Sequence, residues 1–292
     1  MKMLSKITTI VTVTYKSENI IETFLNRIDN KFKIIVVENS NNIKFKNKLE
    51  KKYKNLECIL TGSNIGWAKA NNIGLKNIKT KYSLIINPDT IIDSRTIVNI
   101  EKKAELIKNF SILSPVYDQV FNFLKNKYDK FDLNKLSEKK YNLIKTNYVN
   151  GNCLFVNMND IKLINYLDEN FFFFFEEIDL CKKLTKIKKN IYILKDISVK
   201  HLDGSSVNNK FKIKIDLLRN WHFYWSSYYF HKKHYGTYKA LKIYVGKIIR
   251  FFFLGYIFLL NNQKSLVYRI RLDGLITSIL NKKANYLPKG LE

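Results

Sequence analysis

The sequence predicts an α/β fold, a mainly parallel sheet flanked by helices, followed by a helical C-terminal extension. Three observations carry this. Over about the first 115 residues, strand-like and helix-like segments alternate, the pattern of parallel strands joined by crossover helices. The strand-like runs end in polar or Gly-containing sequence. From Lys210 onward the pattern is helical, with no return to strands.

Ile7–Thr14 is a β-branched run and reads as the first strand. Its basic, apolar beginning reads as a strand and not as a signal peptide, since Thr alternates through it and no small-residue cleavage site follows. Ser17–Asp29 carries Ile20, Ile21, Phe24, Leu25 and Ile28 at helical spacing, with Ser17 as N-cap. Lys33–Val37 is the second strand, Ile43–Tyr53 a Lys-rich helix and Leu56–Leu60 the third strand. Trp67–Asn77 is a helix, Ser83–Asn87 a strand, Ser94–Asn109 a helix and Ile112–Pro115 a short strand. Residues 117–147 lose the rhythm and read as an inserted loop or irregular hairpin. Asn150–Asn157 returns to a strand and Met158–Tyr166 to a helix. Phe171–Phe175 reads as a buried strand or as an apolar wall beside the acids that follow. Glu177–Lys188 is a helix, with Ile191–Leu194 and Ile197–Lys200 as two short strands after it.

In the C-terminal region, Ile213–Tyr235 is dense in aromatics and bases, and Leu241–Leu260 is the most apolar segment. Arg250 and Lys247 interrupt the latter, so its uninterrupted part falls short of the ~20 apolar residues that a membrane-spanning helix needs. It is either an interfacial helix or a buried one. The expected division is residues 1–206 as the α/β part, in two halves of 1–116 and 117–206, and 207–292 as the basic, aromatic helical part.

At 292 residues, 46% hydrophobic and 26% charged, the chain is globular, with one or two domains; whole-chain disorder and fibrous repeats are excluded. Lys+Arg 51 against Asp+Glu 25 gives a net charge of +26, which points to a polyanionic partner: nucleic acid, an anionic membrane surface or a phosphorylated substrate. The excess is densest at the end, since residues 211–292 hold 15 basic and 3 acidic side chains, a net +12, against 36 and 22 in residues 1–210. Cys58, Cys153 and Cys181 are widely spaced, which fits a reducing cytoplasm and offers no zinc motif.

In an open parallel sheet, ligands bind beyond the carboxyl ends of the strands. There the sequence places Thr14-Tyr15-Lys16, Glu38-Asn39-Ser40, Gly62-Ser63-Asn64-Ile65-Gly66-Trp67 and Asn87-Pro88-Asp89-Thr90. Neither a Gly-x-Gly-x-x-Gly nor a Walker-type loop is present, which disfavours dehydrogenases and nucleoside triphosphatases. Asp89 is the sharpest candidate. A carboxylate at a strand end beside a phosphate-binding crevice suits Mg²⁺ or Mn²⁺, although an isolated Asn-Pro-Asp is more often a plain turn. Glu176, Glu177 and Asp179 open a predicted helix, where carboxylates are also favoured simply by the helix dipole.

Taken in order, Val13-Thr14-Tyr15-Lys16-Ser17, Val36-Val37-Glu38-Asn39-Ser40, Asn64 to Gly74, Leu84 to Thr90, Asn150-Gly151-Asn152-Cys153-Leu154-Phe155, Phe175 to Cys181 and His201-Leu202-Asp203-Gly204-Ser205-Ser206 resemble glycosyltransferase family 2, on its rhamnosyltransferase-like side. The resemblance covers about residues 7–206. It implies a GT-A fold with a mixed, mainly parallel sheet, and a hexosyltransferase that takes a nucleotide-diphosphate sugar donor. It implies Asp89 as metal ligand, with Asn87 in place of the family's first acid and His201 as a second ligand for Mg²⁺ or Mn²⁺. Thr14, Tyr15, Glu38, Asn64, Asn87 and Asp89 would bind the donor. Glu38 stands where the family commonly has Asp. Glu177 matches the catalytic base, with Glu176 as the alternative and Asp179 as an orienting or capping group. Trp67 and Lys69 are candidate neighbours of the phosphates or the sugar. One base and no enzymic nucleophile imply inversion at the anomeric carbon.

The expected acceptor is a glycan or a lipid-linked glycan of cell-surface polysaccharide synthesis. The expected place is the cytoplasm, peripheral on the inner face of the membrane, with an anionic membrane surface and not nucleic acid as the polyanionic partner. The rival readings are a basic nucleic-acid-binding protein and an inactive scaffold of the same fold.

Overall fold

Five strands among the described residues, Thr8–Thr14, Lys33–Glu38, Tyr82–Ile86, Ile112–Tyr117 and Cys153–Asn157, are short, largely apolar runs buried along nearly their whole length. In the computed structural model, residues 7–117, 137–138, 142–202, 212–257 and 262–289 are described. Asp203 to Ser206 and residues 118–136 and 139–141 of the 117–147 insertion lie outside them. The strands are β1 (Thr8–Thr14), β2 (Lys33–Glu38), β3 (Leu56–Leu60), β4 (Tyr82–Ile86), β5 (Thr90–Ile91), β6 (Ile112–Tyr117), β7 (Ser137–Glu138), β8 (Leu143–Thr146), β9 (Cys153–Asn157) and β10 (Ile191–His201). The helices are α1 (Glu18–Leu25), α2 (Ile43–Lys52), α3 (Trp67–Lys76), α4 (Ser94–Ile107), α5 (Met158–Leu163), α6 (Glu176–Lys186), α7 (Lys212–Tyr235), α8 (Thr237–Ile257) and α9 (Asn262–Ile279).

The chain divides into two units. The first holds the sheet, in the order β3-β2-β1-β4-β9-β6-β10-β8-β7, with β5 paired to β10. Strands β3, β2, β1 and β4 run parallel, as do β6 and β10. Strand β9 enters antiparallel between β4 and β6. The strand order reverses at β1, whose neighbours are β2 and β4, and this is where an open α/β sheet forms its ligand crevice. Ile10, Ile34, Val36, Leu84, Ile86 and Phe155 are buried in the main core. Helix α3 lies so close to the sheet that a Cβ on Gly74 would meet Val11 Cγ1 at 2.6 Å and Val37 Cγ2 at 3.2 Å.

Local chemistry explains the helix starts. The side chain of Asn42 accepts from Phe45 N at 3.0 Å, and that of Asp93 from Thr96 N at 2.7 Å. Ser17 occupies the N-cap of α1 but makes no capping bond; its hydroxyl turns back and donates to the Tyr15 carbonyl at 2.9 Å. The two short strands expected over 191–200 are one strand, β10. A register shift against β6 between Leu194 and Ser198 interrupts the alternation that a single strand would show. The insertion contributes β8, which pairs antiparallel with β10 and β7.

The second unit comprises Gly66–Lys69, Asp168–Asp179 and Asn208–Glu292. Its described helices α7, α8 and α9 pack around Tyr228, Ala240, Tyr244, Phe251 and Leu275. Trp221 Nε1 donates to Asp273 at 2.6 Å and Trp225 Nε1 to the Lys282 carbonyl at 3.0 Å, so both indoles are buried with their N–H satisfied. Phe171–Phe175 is not a strand. It is a bent connection in which Phe174 (φ 68°) and Phe175 (φ 71°) take the left-handed region. Its carbonyls serve this unit instead of a sheet: Phe172 O accepts from Trp67 N at 2.7 Å and Phe173 O from Ser226 Oγ at 2.9 Å. Its rings pack on α7, with Phe171 against Tyr229, Phe172 stacked on His222, and Phe175 against Phe223 and Phe230.

Gly74→Ala is expected to destabilise the sheet unit by about 1–3 kcal/mol through overpacking, outweighing the roughly 1 kcal/mol that Ala gains over Gly in a helix. Urea unfolding of the two proteins measures it; a variant as stable as wild type would refute the close packing.

Candidate functional site

Parallel pairing brings the ends of β1, β2 and β3 level, since Thr14 lies opposite Glu38 and Glu38 opposite Leu60. The polar residues that follow therefore gather at one sheet edge. Glu38 is only 1% exposed there. Thr14 Oγ1 donates to its Oε2, and Ser40 Oγ donates to Oε1 at 2.6 Å. Burial pushes the Glu38 carboxyl above the usual range, and the two hydroxyls oppose that shift. Oε2 thus ties the end of β2 to the end of β1, while Oε1 holds the turn that follows β2.

Asn39 organises the next loop. Its Oδ1 accepts from Ile65 N at 3.0 Å and its Nδ2 donates to Asn64 Oδ1 at 2.9 Å. The Asn64 side chain also hydrogen-bonds Tyr15, whose hydroxyl is raised in pKa chiefly by burial. Tyr15 and Asn64, both expected to bind the donor, are therefore directly joined.

The Asn87-Pro88-Asp89 turn is held from two sides. Strand β4 pairs with β9 up to Ile86 opposite Cys153, so the turn after β4 meets the turn before β9. Asn87 N donates to the Asn152 carbonyl and Asn87 Nδ2 to Asn152 Oδ1, each at 3.0 Å; Thr90 Oγ1 donates to the same carbonyl at 3.2 Å. On the other side β5 pairs with the end of β10, placing His201 opposite Thr90. Leu202 N donates to the Asp89 carbonyl at 3.1 Å, and His201 Nε2 lies 3.0 Å from Asp89 Oδ1. Residues 112 apart in sequence thus meet in a buried carboxylate–imidazole pair.

This pair offers one hard oxygen and one imidazole nitrogen. Among the described residues no group of three or more His, Cys, Asp or Glu side chains forms a complete metal site. A two-donor pair is the protein share of a site whose remaining ligands are phosphate oxygens and water, the usual arrangement for Mg²⁺ or Mn²⁺ at a diphosphate, so the residues fit such an ion.

The second acid cluster lies in the helical unit. Glu176 is 5% exposed, and its Oε2 has no hydrogen-bond partner among the described residues. Burial, then the neighbouring charge of Glu177, pushes the Glu176 carboxyl well up. Glu177 is only half-buried. Asp179 is fully buried, and its Oδ1 meets Lys233 Nζ and His234 Nε2, each at 2.7 Å. Lys233 Nζ also bonds Asp168 Oδ2 at 2.8 Å, and Tyr229 OH donates to the same oxygen at 3.0 Å. Despite burial, Asp168 is held below the usual carboxylate range by Lys233 and by Asn170. Lys233 and His234 are the residues that sequence reasoning missed. They look like surface charge in a Lys-rich tail, and no local pattern ties them to acids more than fifty positions earlier. Asn39 and Asn152 carried a signal, because both stand in the polar strand-end motifs.

A mainly parallel sheet flanked by helices, crossed by the antiparallel β9 and followed by a helical region, is the architecture of GT-A glycosyltransferases. Among solved structures, the mannosyltransferase PcManGT of Pyrobaculum calidifontis, in complex with GDP-Man and Mn²⁺, superposes with a TM-score of 0.58 at 13% identity, over 94% of this chain and 88% of that one. The profile of glycosyl transferase family 2 matches residues 9–164, and the chain belongs to that family; it is a glycosyltransferase. Its relatives include the low-salt glycan biosynthesis hexosyltransferase Agl10 of Haloferax volcanii, 25% identical over 71% of this chain and 72% of the relative. The rhamnosyltransferase WbbL of Escherichia coli K12 is 26% identical over 60% of this chain and 76% of the relative.

The raised carboxyl of Glu176 has a signed consequence. An acid whose folded pKa exceeds its unfolded value of 4.5 contributes stability below pH 4.5 and loses it as pH climbs through the folded value. Glu176→Gln, which never ionises, is expected to gain on wild type as pH rises from 4 toward 8. Melting temperatures across that range test it; a difference independent of pH would contradict the buried, charge-averse setting.

Proposed function

We propose that the chain is a metal-dependent inverting hexosyltransferase. It moves a sugar from a nucleotide-diphosphate donor to a glycan or lipid-linked acceptor in cell-surface polysaccharide synthesis, at the inner face of the cytoplasmic membrane. The observation that carries this reading is the Asp89–His201 pair at 3.0 Å, on the sheet edge of a family 2 chain. The named activities of Agl10 and WbbL support a hexose and a glycan acceptor, and PcManGT with GDP-Man and Mn²⁺ supports the donor class and the cation.

Asp89 and His201 would hold Mg²⁺ or Mn²⁺, which when bound supplies neutralisation of the departing diphosphate. Tyr15 and Asn64 present their linked polar groups to the donor, and the Asn87–Asn152 clamp fixes the backbone that carries Asp89. Glu38 acts through Thr14 and Ser40, whose hydroxyls it orders. Glu177 takes the proton of the acceptor hydroxyl as that oxygen bonds to the anomeric carbon. The bond from that carbon to the phosphate oxygen breaks with its electron pair, and the single displacement inverts the centre. Burial, then the neighbouring charge of Glu177, pushes the Glu176 carboxyl well up, and the half-buried Glu177 is the member of the pair that this reading takes as base.

A thermal-shift screen of nucleotide sugars with Mn²⁺ tests the donor half of this reading. One donor should stabilise the wild type only with metal, and Asp89→Ala should lose that stabilisation. Glu177→Gln should keep it while turnover falls by about 10²–10⁴. NMR of the product should show the anomeric configuration opposite to that of the donor. Metal-dependent donor binding that survives Asp89→Ala, or a retained configuration, would overturn the reading.

A further inference from the structure

Helix α8 has three faces. At about 100° per residue, Ala240, Tyr244, Ile248, Phe251 and Gly255 form one stripe. Of these, Ala240, Tyr244 and Phe251 belong to the core shared with α7 and α9, and Gly255 lies against Arg269, where a Cβ would come within 3.1 Å. A helix that only served this core would be polar elsewhere. Instead Tyr238, Leu241, Val245, Ile249, Phe252 and Tyr256 recur at spacings of three and four along a second stripe, with Phe253 beside it. All seven are exposed among the described residues, from 40% at Leu241 to 81% at Tyr238. The remaining face carries Lys239 and Arg250 with the exposed Ile243; Lys242 lies at the edge of the apolar stripe between Ile249 and Phe253, and Lys247 borders the core stripe with its ammonium 4.7 Å from the Tyr244 ring centre. No acidic residue occurs anywhere in Thr237–Ile257.

We infer that this face of α8 is a docking surface for an anionic lipid bilayer. The apolar stripe enters the boundary of the acyl chains, and the lysines and arginine beside it lie at the level of the anionic headgroups. Charge selects this occupant. A second copy of the chain would bring the same acid-free helix against it, placing like charges together at the flanks, whereas anionic headgroups neutralise them. No helix among the described residues is long and apolar enough to cross a membrane, so the mode is a helix lying in the surface. The inference deepens the membrane reading above by naming its surface, and it does not depend on the transfer chemistry.

Flotation of the full chain with vesicles tests it. The chain should float with vesicles of phosphatidylcholine mixed with phosphatidylglycerol, far less with phosphatidylcholine alone, and less at high salt. Ile249→Glu combined with Phe253→Glu should weaken binding by about tenfold or more. Lys239→Gln, Lys242→Gln and Arg250→Gln together should remove the preference for anionic vesicles while leaving the apolar stripe intact. Both sites are exposed, and unchanged melting curves would verify folding. Flotation unaffected by the glutamates overturns the assignment, as does a wild-type chain that binds neither vesicle. A wild-type dimer that the glutamates convert to a monomer, without change in flotation, assigns the face to a second copy instead. Donor-induced thermal shifts measured on the same variants keep the two readings separate, since loss of flotation with donor binding intact touches only α8.

Discussion

The arrangement of the sheet unit depends on one constraint: strand β9 runs antiparallel between β4 and β6. Without it, the turn after β4 would lose the partner that holds it. With it, the turn before β9 lies against the turn after β4, and Asn152 holds Asn87 by backbone and side chain at once. Strand β10, parallel to β6, then reaches past this corner to pair with β5. Asp89 is fixed by its neighbours in three dimensions, and burial at 6% exposure is tolerable because His201 answers its charge or its hydrogen-bonding need. A carboxylate whose backbone is held this way would meet a cation with little chain movement, once His201 Nε2 released its hydrogen bond to Oδ1.

The helical unit solves a different problem. It buries Asp179 completely and Asp168 largely, which would be unfavourable without partners. Lys233 answers both, and His234 the first. These contacts pin the first turn of α6 to the last turn of α7. They therefore fix where Glu176 and Glu177 stand, three residues and two residues before Asp179 on the same helix start. Glu176 has no such partner, so its environment favours the neutral acid. The two adjacent glutamates thus stand in different surroundings: Glu176 is buried with its carboxyl pushed well up, while Glu177 is half-buried.

Much of this was legible in the sequence. β-branched runs and helical spacing located β1, β2, β3, β4, α2, α3 and α4 to within a residue or two, because their burial is regular and the period shows it. That Thr14, Glu38, Asn64, Asn87 and Asp89 fall at or just after the ends of strands was legible, and β1, β2, β3 and β4 run parallel, which delivers those ends to one edge. What failed was whatever depends on a distant partner. Phe171–Phe175 has strand composition, yet its carbonyls are taken by Trp67 and Ser226, and two left-handed residues turn it. Ser17 is a good cap by type but spends its hydroxyl on Tyr15. The bulge in β10 hid one strand as two. Lys233 and His234 have nothing in their own surroundings in sequence to distinguish them from solvated charge.

The excess of basic charge becomes intelligible once burial sorts the two signs. In the helical unit the acids at Asp168, Glu176 and Asp179 are buried or nearly so, and two of them are neutralised within the fold. The bases of Lys239, Lys242, Lys247 and Arg250 stand on a helix with no acid of its own. Internal pairing therefore subtracts little from the outward field of α8, and the composition bias is expressed on the helix that also shows the largest apolar stripe. A positive face alone would suit any polyanion, and an apolar stripe alone any greasy partner. Their coincidence on one helix restricts the choice to a partner that is anionic and apolar within a few ångströms of depth, and a bilayer surface has that profile.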